Sequence, residues 1–130
     1  MPMNISFNTR DPVYLQVVRH FKLSIAKGIL TAGEEIPSRR ELASQLKINP
    51  NTVQRAYREM EEQKLIKTER NVPSKVTTDA HILRSVREEL LHESISNFLD
   101  EVEPLQLPLD EIVSRIQQQI HRKGESASDD

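Results

Sequence analysis

Two helix-start signals lie eleven residues apart in this chain, and they constrain its fold more than any other feature. Ser38 is followed three positions on by Glu41, the spacing of a capping box in which hydroxyl and carboxylate cover the free amides of a first helical turn. Asn49 is followed by Pro50, an amide to cap and then a residue whose missing N–H is not needed at the first helical position. Between them Leu42, Ala43 and Leu46 form an apolar stripe, and only LKI separates the two segments. The chain must therefore turn tightly from one short helix into another.

The flanks extend this pair into a mainly α fold. Asp11–Pro12 predicts the start of an earlier helix with Val13, Val17, Val18, Phe21 and Ile25 on its apolar face, ending near Lys27 where Gly28 supplies a left-handed terminus. ILTAGEEIP reads as a connector. After Gln63, LIKTER, NVPS and KVTT read as two short strands around a turn, a small β-hairpin. Asp79 is placed to cap a long helix whose apolar residues are Ile82, Val86, Leu90, Ile95, Phe98, Leu99 and Val102. PLQLPLDE breaks it, and a last helix from about Leu109 to His121 carries Ile112, Val113, Ile116 and Ile120. The expected organisation is a winged helix-turn-helix domain over 1–78, a two-helix appendage over 79–122 and a disordered tail over 123–130.

Composition narrows the function. The chain has 130 residues, 4% aromatic and 29% charged, a balance that suits helices with solvated faces. It has no cysteine, which excludes disulfides, thiolate zinc sites and cysteine nucleophiles. MPMNISFNTRD has no basic start leading into an apolar run, and no stretch approaches the ~18 apolar residues that would span a bilayer, so no membrane association is expected and the predicted location is cytoplasmic. No Gly-rich phosphate loop, nucleophile elbow or zinc-helix motif is present, so no catalytic residues, cofactor or metal are expected. His81 and His92 stand three helical turns apart, roughly 16 Å, too far to share one metal ion. The net charge of −2 hides an asymmetry: residues 1–78 hold 13 Lys+Arg against 8 Asp+Glu, a balance of +5, whereas residues 79–130 hold 5 against 12, a balance of −7. The basic half is the one that contains the helix pair.

On a helical wheel of ~100° per residue, Ala56, Tyr57 and Met60 fall within ~60° of Val53 and make one apolar face. Asn51, Arg55 and Arg58 lie opposite, with Thr52 and Gln54 on the flanks. Amides that pair with adenine edges, guanidinium groups that pair with guanine, and hydroxyls that hold phosphate are the groups suited to a DNA major groove. This reading makes the second helix of the pair a recognition helix and the hairpin its wing, with Arg70 and Lys75 as phosphate contacts.

The run GILTAGEEIPSRRELASQLKINPNTVQRAYREMEEQKLI resembles the DNA-binding domain of the GntR family of bacterial transcription regulators, through Gly28, Leu30, Gly33, Pro37, Ser38, Arg40, Leu42, Ala43, Thr52, Val53, Ala56, Leu65 and Ile66. NPNTVQRAY is most similar to the small YtrA-type subgroup, whose members carry two helices after the winged domain. The resemblance implies DNA contacts from Ser38 and Arg40 and from Asn49, Asn51, Thr52, Gln54 and Arg55, and a role in controlling transporter operons, commonly as a repressor. Three positions depart from the family pattern: Lys47 stands where Gly is usual, Pro50 brings no polar side chain, and RNVPSKVTT replaces a Gly-rich wing.

One recognition helix reads few base pairs, at ~1 to 3 kcal/mol of discrimination each, which predicts pairing of two copies. The two C-terminal helices have more apolar surface than they can bury in one another, so Ile82, Val86, Leu90, Ile95, Phe98, Leu99, Ile112, Val113 and Ile116 are expected to form a homodimer interface. The partners expected are therefore a two-fold double-stranded DNA operator and a second copy, with a small-molecule effector left open. Two alternatives stand beside this: that both helices pack back on the winged domain, and that the polar helix face docks a protein rather than DNA.

Overall fold

Pro12, not Asp11, occupies the N-cap of the first helix, α1 (Val13–Ala26), and no side chain caps it. The turn ahead of it is closed by Asn8, whose Oδ1 accepts from the amides of Arg10 and Asp11, both at 3.0 Å. Gln16 then ties this turn to the helix, donating to the carbonyls of Asp11 at 2.8 Å and Asn8 at 3.1 Å and accepting from the Asn8 amide at 2.9 Å. Asp11 accepts from Asn8 Nδ2 at 3.2 Å. At the other end Gly28 takes φ +76°, as its position predicts, and the amides of Ile29 and Leu30 both return to the carbonyl of Ser24.

The computed structural model describes residues 4–128. The predicted helix pair is present as α2 (Arg39–Leu46) and α3 (Pro50–Glu62). Val17, Val18, Phe21 and Ile25 of α1, Leu42 and Ala43 of α2, and Val53, Ala56, Tyr57 and Met60 of α3 form one buried core. Phe21 meets Tyr57 edge to face, with ring centroids 6.1 Å apart, the geometry the aromatic quadrupole favours.

The hairpin consists of β1 (Ile66–Lys67) and β2 (Lys75–Val76), antiparallel, with Ile66 opposite Val76 and Lys67 opposite Lys75. Ile66 and Val76 face the core while the two lysines face out. The connector expected between α1 and α2 adds a third rung: Gly33 N donates to Val76 O, Val76 N to Glu34 O and Ile36 N to Ser74 O, all at 2.9 Å. Gly33 makes the bend at φ +81°. Two adjacent glutamates and a glycine give this rung no alternating pattern by which a sequence would announce it.

Asp79 caps the long helix α4 (Ala80–Val102), its Oδ1 accepting from the His81 amide at 2.9 Å. The expectation of one apolar face on α4 is corrected. On a wheel of ~100° per residue from Ile82, residues Leu83, Val86 and Leu90 fall within about 100°, whereas Leu91, Ile95, Phe98, Leu99 and Val102 fall between about 160° and 260°. The chain divides into two compact units at Leu91/His92, one residue after this change of face. In the first unit Val86 is 2% exposed and belongs to the core, with Ile82, Leu83 and Leu90 packed against it. Three residues expected at a dimer interface, Ile82, Val86 and Leu90, are thus taken up by the winged domain, which extends past Thr78. Within this unit Lys22 Nζ of α1 lies 3.1 Å from Glu89 of α4.

In the second unit a 3-10 turn at Glu103–Leu105 and a left-handed Gln106 (φ 54°) end α4, and α5 (Leu109–Ser128) follows. Leu109, Ile112, Val113, Ile116 and Ile120 share one face of α5, and Ile95, Phe98, Leu99, Val113, Ile116 and Ile120 are exposed. The tail expected to be disordered from 123 is helical to Ser128, with His121 Nε2 3.0 Å from Glu125 one turn on; its last two residues lie outside the described ones. Gly124, which costs ~1 kcal/mol relative to Ala in a helix, is accommodated among the good helix formers Arg122, Lys123 and Glu125. Among the described residues no helix is long and apolar enough to cross a membrane.

Candidate nucleic-acid interface

Lys47 makes the turn between α2 and α3. It adopts φ 56°, ψ 46°, the left-handed conformation that glycine would take without strain, and its amide and that of Ile48 return to the carbonyl of Ala43. Ser38 Oγ accepts from the Glu41 amide at 3.1 Å, and Asn49 Oδ1 accepts from the Asn51 amide at 2.8 Å, so both predicted caps are in place. The caps change what these residues can offer. Asn49 keeps its NH₂ donors but its carbonyl oxygen is engaged, and Ser38 keeps the hydroxyl hydrogen to donate. The first-turn amides of α3 are largely satisfied, since those of Thr52 and Val53 point to Asn49 O.

With Val53, Ala56, Tyr57 and Met60 buried, α3 turns Asn51, Arg55 and Arg58 outward, and Thr52 and Gln54 stand half-buried at its flanks. Arg40 is exposed at the start of α2. The neighbouring Arg39 is not available in the same way: its Nη2 is 2.6 Å from Glu61 Oε1, and its guanidinium lies 5.2 Å from the centre of the Tyr57 ring. Burial pushes the Tyr57 phenol up, partly offset by Arg39, and the hydroxyl donates to the carbonyl of Pro37. Tyr57 is thus a neutral structural pin between α3 and the segment leading into α2.

Arg39 belongs to a chain of polar contacts that reaches the wing. Glu61 accepts from Thr68 Oγ1 at 3.0 Å, and Thr68 is 2.8 Å from Ser74 Oγ at the other side of the hairpin. At the tip, Arg70 is exposed and Asn71 takes φ +66°, so asparagine supplies the left-handed residue in a wing without glycine. Lys75 is exposed opposite Lys67, which is paired with Glu69 at 3.3 Å. A cleft between the wing tip and α2 is lined by Ser38, Gln45, Asn71 and Pro73, but Glu35 and Glu41 line it too and make it unwelcoming to phosphate.

The predicted residues therefore fall into an α2–α3 group (Ser38, Arg40, Asn49, Asn51, Thr52, Gln54, Arg55, Arg58) and a wing group (Arg70, Lys75). Sequence reasoning missed Tyr14, whose ring lies under Arg55 with 3.9 Å between guanidinium and ring centre. Its only signal was a tyrosine at the edge of the apolar stripe of α1. Among the described residues no group of three or more His, Asp or Glu side chains is arranged to hold a metal ion.

The profile of a family described as bacterial regulatory proteins, gntR family, matches residues 13–76, from the start of α1 to the end of β2. The HTH-type transcriptional regulator YhcF of Bacillus subtilis is 32% identical over 88% of this chain and 94% of its own length. The HTH-type transcriptional repressor YtrA of the same organism is 39% identical over 60% of each chain. Among solved structures, a GntR family transcriptional regulator from Listeria monocytogenes superposes with a TM-score of 0.77 at 31% identity, covering 86% of this chain and 98% of that one.

Proposed function

The chain belongs to the GntR family of bacterial regulatory proteins, and on that premise we propose that this transcriptional regulator works as a sequence-specific repressor, binding a two-fold-symmetric operator as a homodimer. That it binds DNA and is not an enzyme follows from the family. The observation that carries the finer reading is the outward face of α3, where Asn51, Arg55 and Arg58 stand exposed on a helix whose other face is locked into the core. In this reading Asn51 and Gln54 read base edges, Arg40, Arg58 and the wing residues Arg70 and Lys75 hold phosphates, and Ser38, Asn49 and Thr52 add contacts at the two helix starts. YtrA of Bacillus subtilis is a transcriptional repressor, which supports repression here, and the subgroup resemblance supports a transporter operon as target. In this reading the protein acts on chromosomal DNA, which is the argument for a cytoplasmic location.

Dimerisation is supported by the apolar residues that the second unit leaves exposed. Ile95, Phe98 and Leu99 of α4 and Val113 and Ile116 of α5 are each at least 37% exposed in the single chain, and a cluster of large apolar side chains left open to water is the usual mark of a surface that a partner covers. With Ile82, Val86 and Leu90 accounted for elsewhere, these five and the half-buried Ile112 are the proposed interface.

Selection of random-sequence duplex DNA by the purified protein tests both parts. Enrichment of a site with two related half-sites supports a dimeric reader, and Asn51→Ala should then weaken that site by about 1 to 3 kcal/mol while leaving random DNA little changed. No enrichment, or equal loss on both DNAs, removes Asn51 as a base reader. Sedimentation showing a monomer at micromolar concentration, both free and on DNA, removes the dimer.

A further inference from the structure

Two arginine–tyrosine stacks flank α3, and they differ in what meets the edge of the guanidinium. Arg39 lies over Tyr57, and Glu61 takes its N–H edge, so its charge is already answered. Arg55 lies closer to its ring, 3.9 Å from the centre of Tyr14, but it is exposed and no side-chain or backbone oxygen among the described residues accepts from it. A guanidinium held over an aromatic ring by its charge leaves the N–H donors of its fork to bond elsewhere. Tyr14 is itself anchored, half-buried in the first turn of α1 and packed against the core. The result is a cation held on a fixed platform with its donors open.

We infer that Tyr14 is a positioning residue that holds Arg55 ready to grip a backbone phosphate of DNA. The inference rests on the reading of the α3 face as the DNA-binding surface. Phosphate is favoured over a base because Arg55 is pinned to a neighbouring helix, α1, and so stays on the α1 side of α3 rather than reaching from it into a groove; the backbone is what runs along such a rim. Fixing the side chain beforehand also reduces the rotamer freedom lost when the contact forms. An unpaired, stacked arginine is otherwise hard to explain, since the same protein closes its other stack with a carboxylate.

The test compares affinities for a selected duplex and a random duplex across a range of salt, with folding checked by circular dichroism. Arg55→Ala should weaken both duplexes about equally and lower the slope of log affinity against log salt by about one. Tyr14→Phe should match the native protein, because the ring remains. Tyr14→Leu keeps the charge but removes the platform, so both affinities should fall by about 2- to 5-fold at an unchanged slope. Native affinity in Tyr14→Leu overturns the proposal. So does a Tyr14→Phe as weak as Tyr14→Leu, which would assign the effect to the hydroxyl, and so does an Arg55→Ala that loses only the selected duplex, which would make Arg55 a base reader. Should Tyr14→Leu fail to fold, Arg55→Lys takes its place: it retains the charge without the flat fork, and is expected to bind more weakly at an unchanged slope, with native affinity again overturning the idea. Absence of salt-dependent binding to any duplex by the native protein is a separate outcome and removes the α3 reading along with this one.

Discussion

The two halves of α4 carry apolar residues in similar number, yet one set is buried or half-buried against the core of the winged unit and the other is mostly exposed in the single chain. Up to Leu90 they pack against the core of the winged unit; Val86 is 2% exposed there. From Leu91 on they face away, and Leu91, Ile95 and Leu99 are 61%, 48% and 47% exposed. An apolar stripe thus states that a surface is to be covered without stating by what. The phase of the stripe holds the missing information, because the same helix cannot present one face to two partners, and the jump at Leu90/Leu91 marks where the partner changes.

The largest effects should follow this division. Phe21 is fully buried against Tyr57, so Phe21→Ala should cost about 3 to 5 kcal/mol of the winged unit's stability, read from urea denaturation at any protein concentration. Ile116→Asp changes a residue that is 39% exposed, and it should leave the winged unit's stability within about 0.5 kcal/mol in dilute solution. If the second unit pairs with a copy of itself, the same substitution should weaken association by about 30-fold or more, measured by sedimentation at several concentrations. Equal loss of monomer stability in both variants would break the comparison, since it would mean that the exposed stripe is covered within one chain.

What could be read in the sequence follows the same line. The caps at Ser38 and Asn49, the left-handed Gly28, and the division of α3 into buried and exposed faces were all legible, because each is decided by atoms within four residues in the chain, whereas at Lys47 only the resemblance, through the Gly usual there, pointed to a special turn. Asp11 failed as a cap because Asn8 and Gln16 had already closed the turn ahead of α1, a competition invisible to a two-residue signal. The third rung at residues 33–36, the Tyr14–Arg55 stack and the chain from Arg39 through Glu61 and Thr68 to Ser74 all join residues distant in sequence, so no local pattern specifies them. For the proposed site this means that residue types and their face were accessible, whereas what holds each side chain was not.

A smaller effect tests how well the local rules act inside the first unit. Lys47 adopts a conformation that costs an L-residue about 1 kcal/mol, and its side chain is exposed. Lys47→Gly should therefore raise stability by up to about 1 kcal/mol, reduced by the greater freedom that glycine gives the unfolded chain. Its effect on DNA affinity separates fold from function at this position. A gain in stability with unchanged affinity makes the lysine a tolerated departure, whereas a loss of affinity assigns its charge to DNA binding and explains why strain is retained.

The smallest expected effect is a pH dependence at the edge of the winged unit. His20 is half-buried beside the N-terminal segment, in a shallow site it shares with Asn8, Gln16 and Arg19. Burial, and then the positive charge of Lys27, hold its imidazole below the usual value of 6.5. The folded state therefore favours the neutral ring, and the unfolded state takes up the proton first as the pH falls. The resulting stabilisation is complete above about pH 6.5 and is lost as the pH drops from there through the lower folded value. Urea midpoints at about pH 7.5 and pH 5.5 should differ in that direction, and His20→Gln should reduce the difference, since glutamine keeps a polar side chain but cannot titrate there. A variant with the full pH dependence of the native protein would move its origin away from His20, and with it the idea that the N-terminal segment covers this face of α1 in solution.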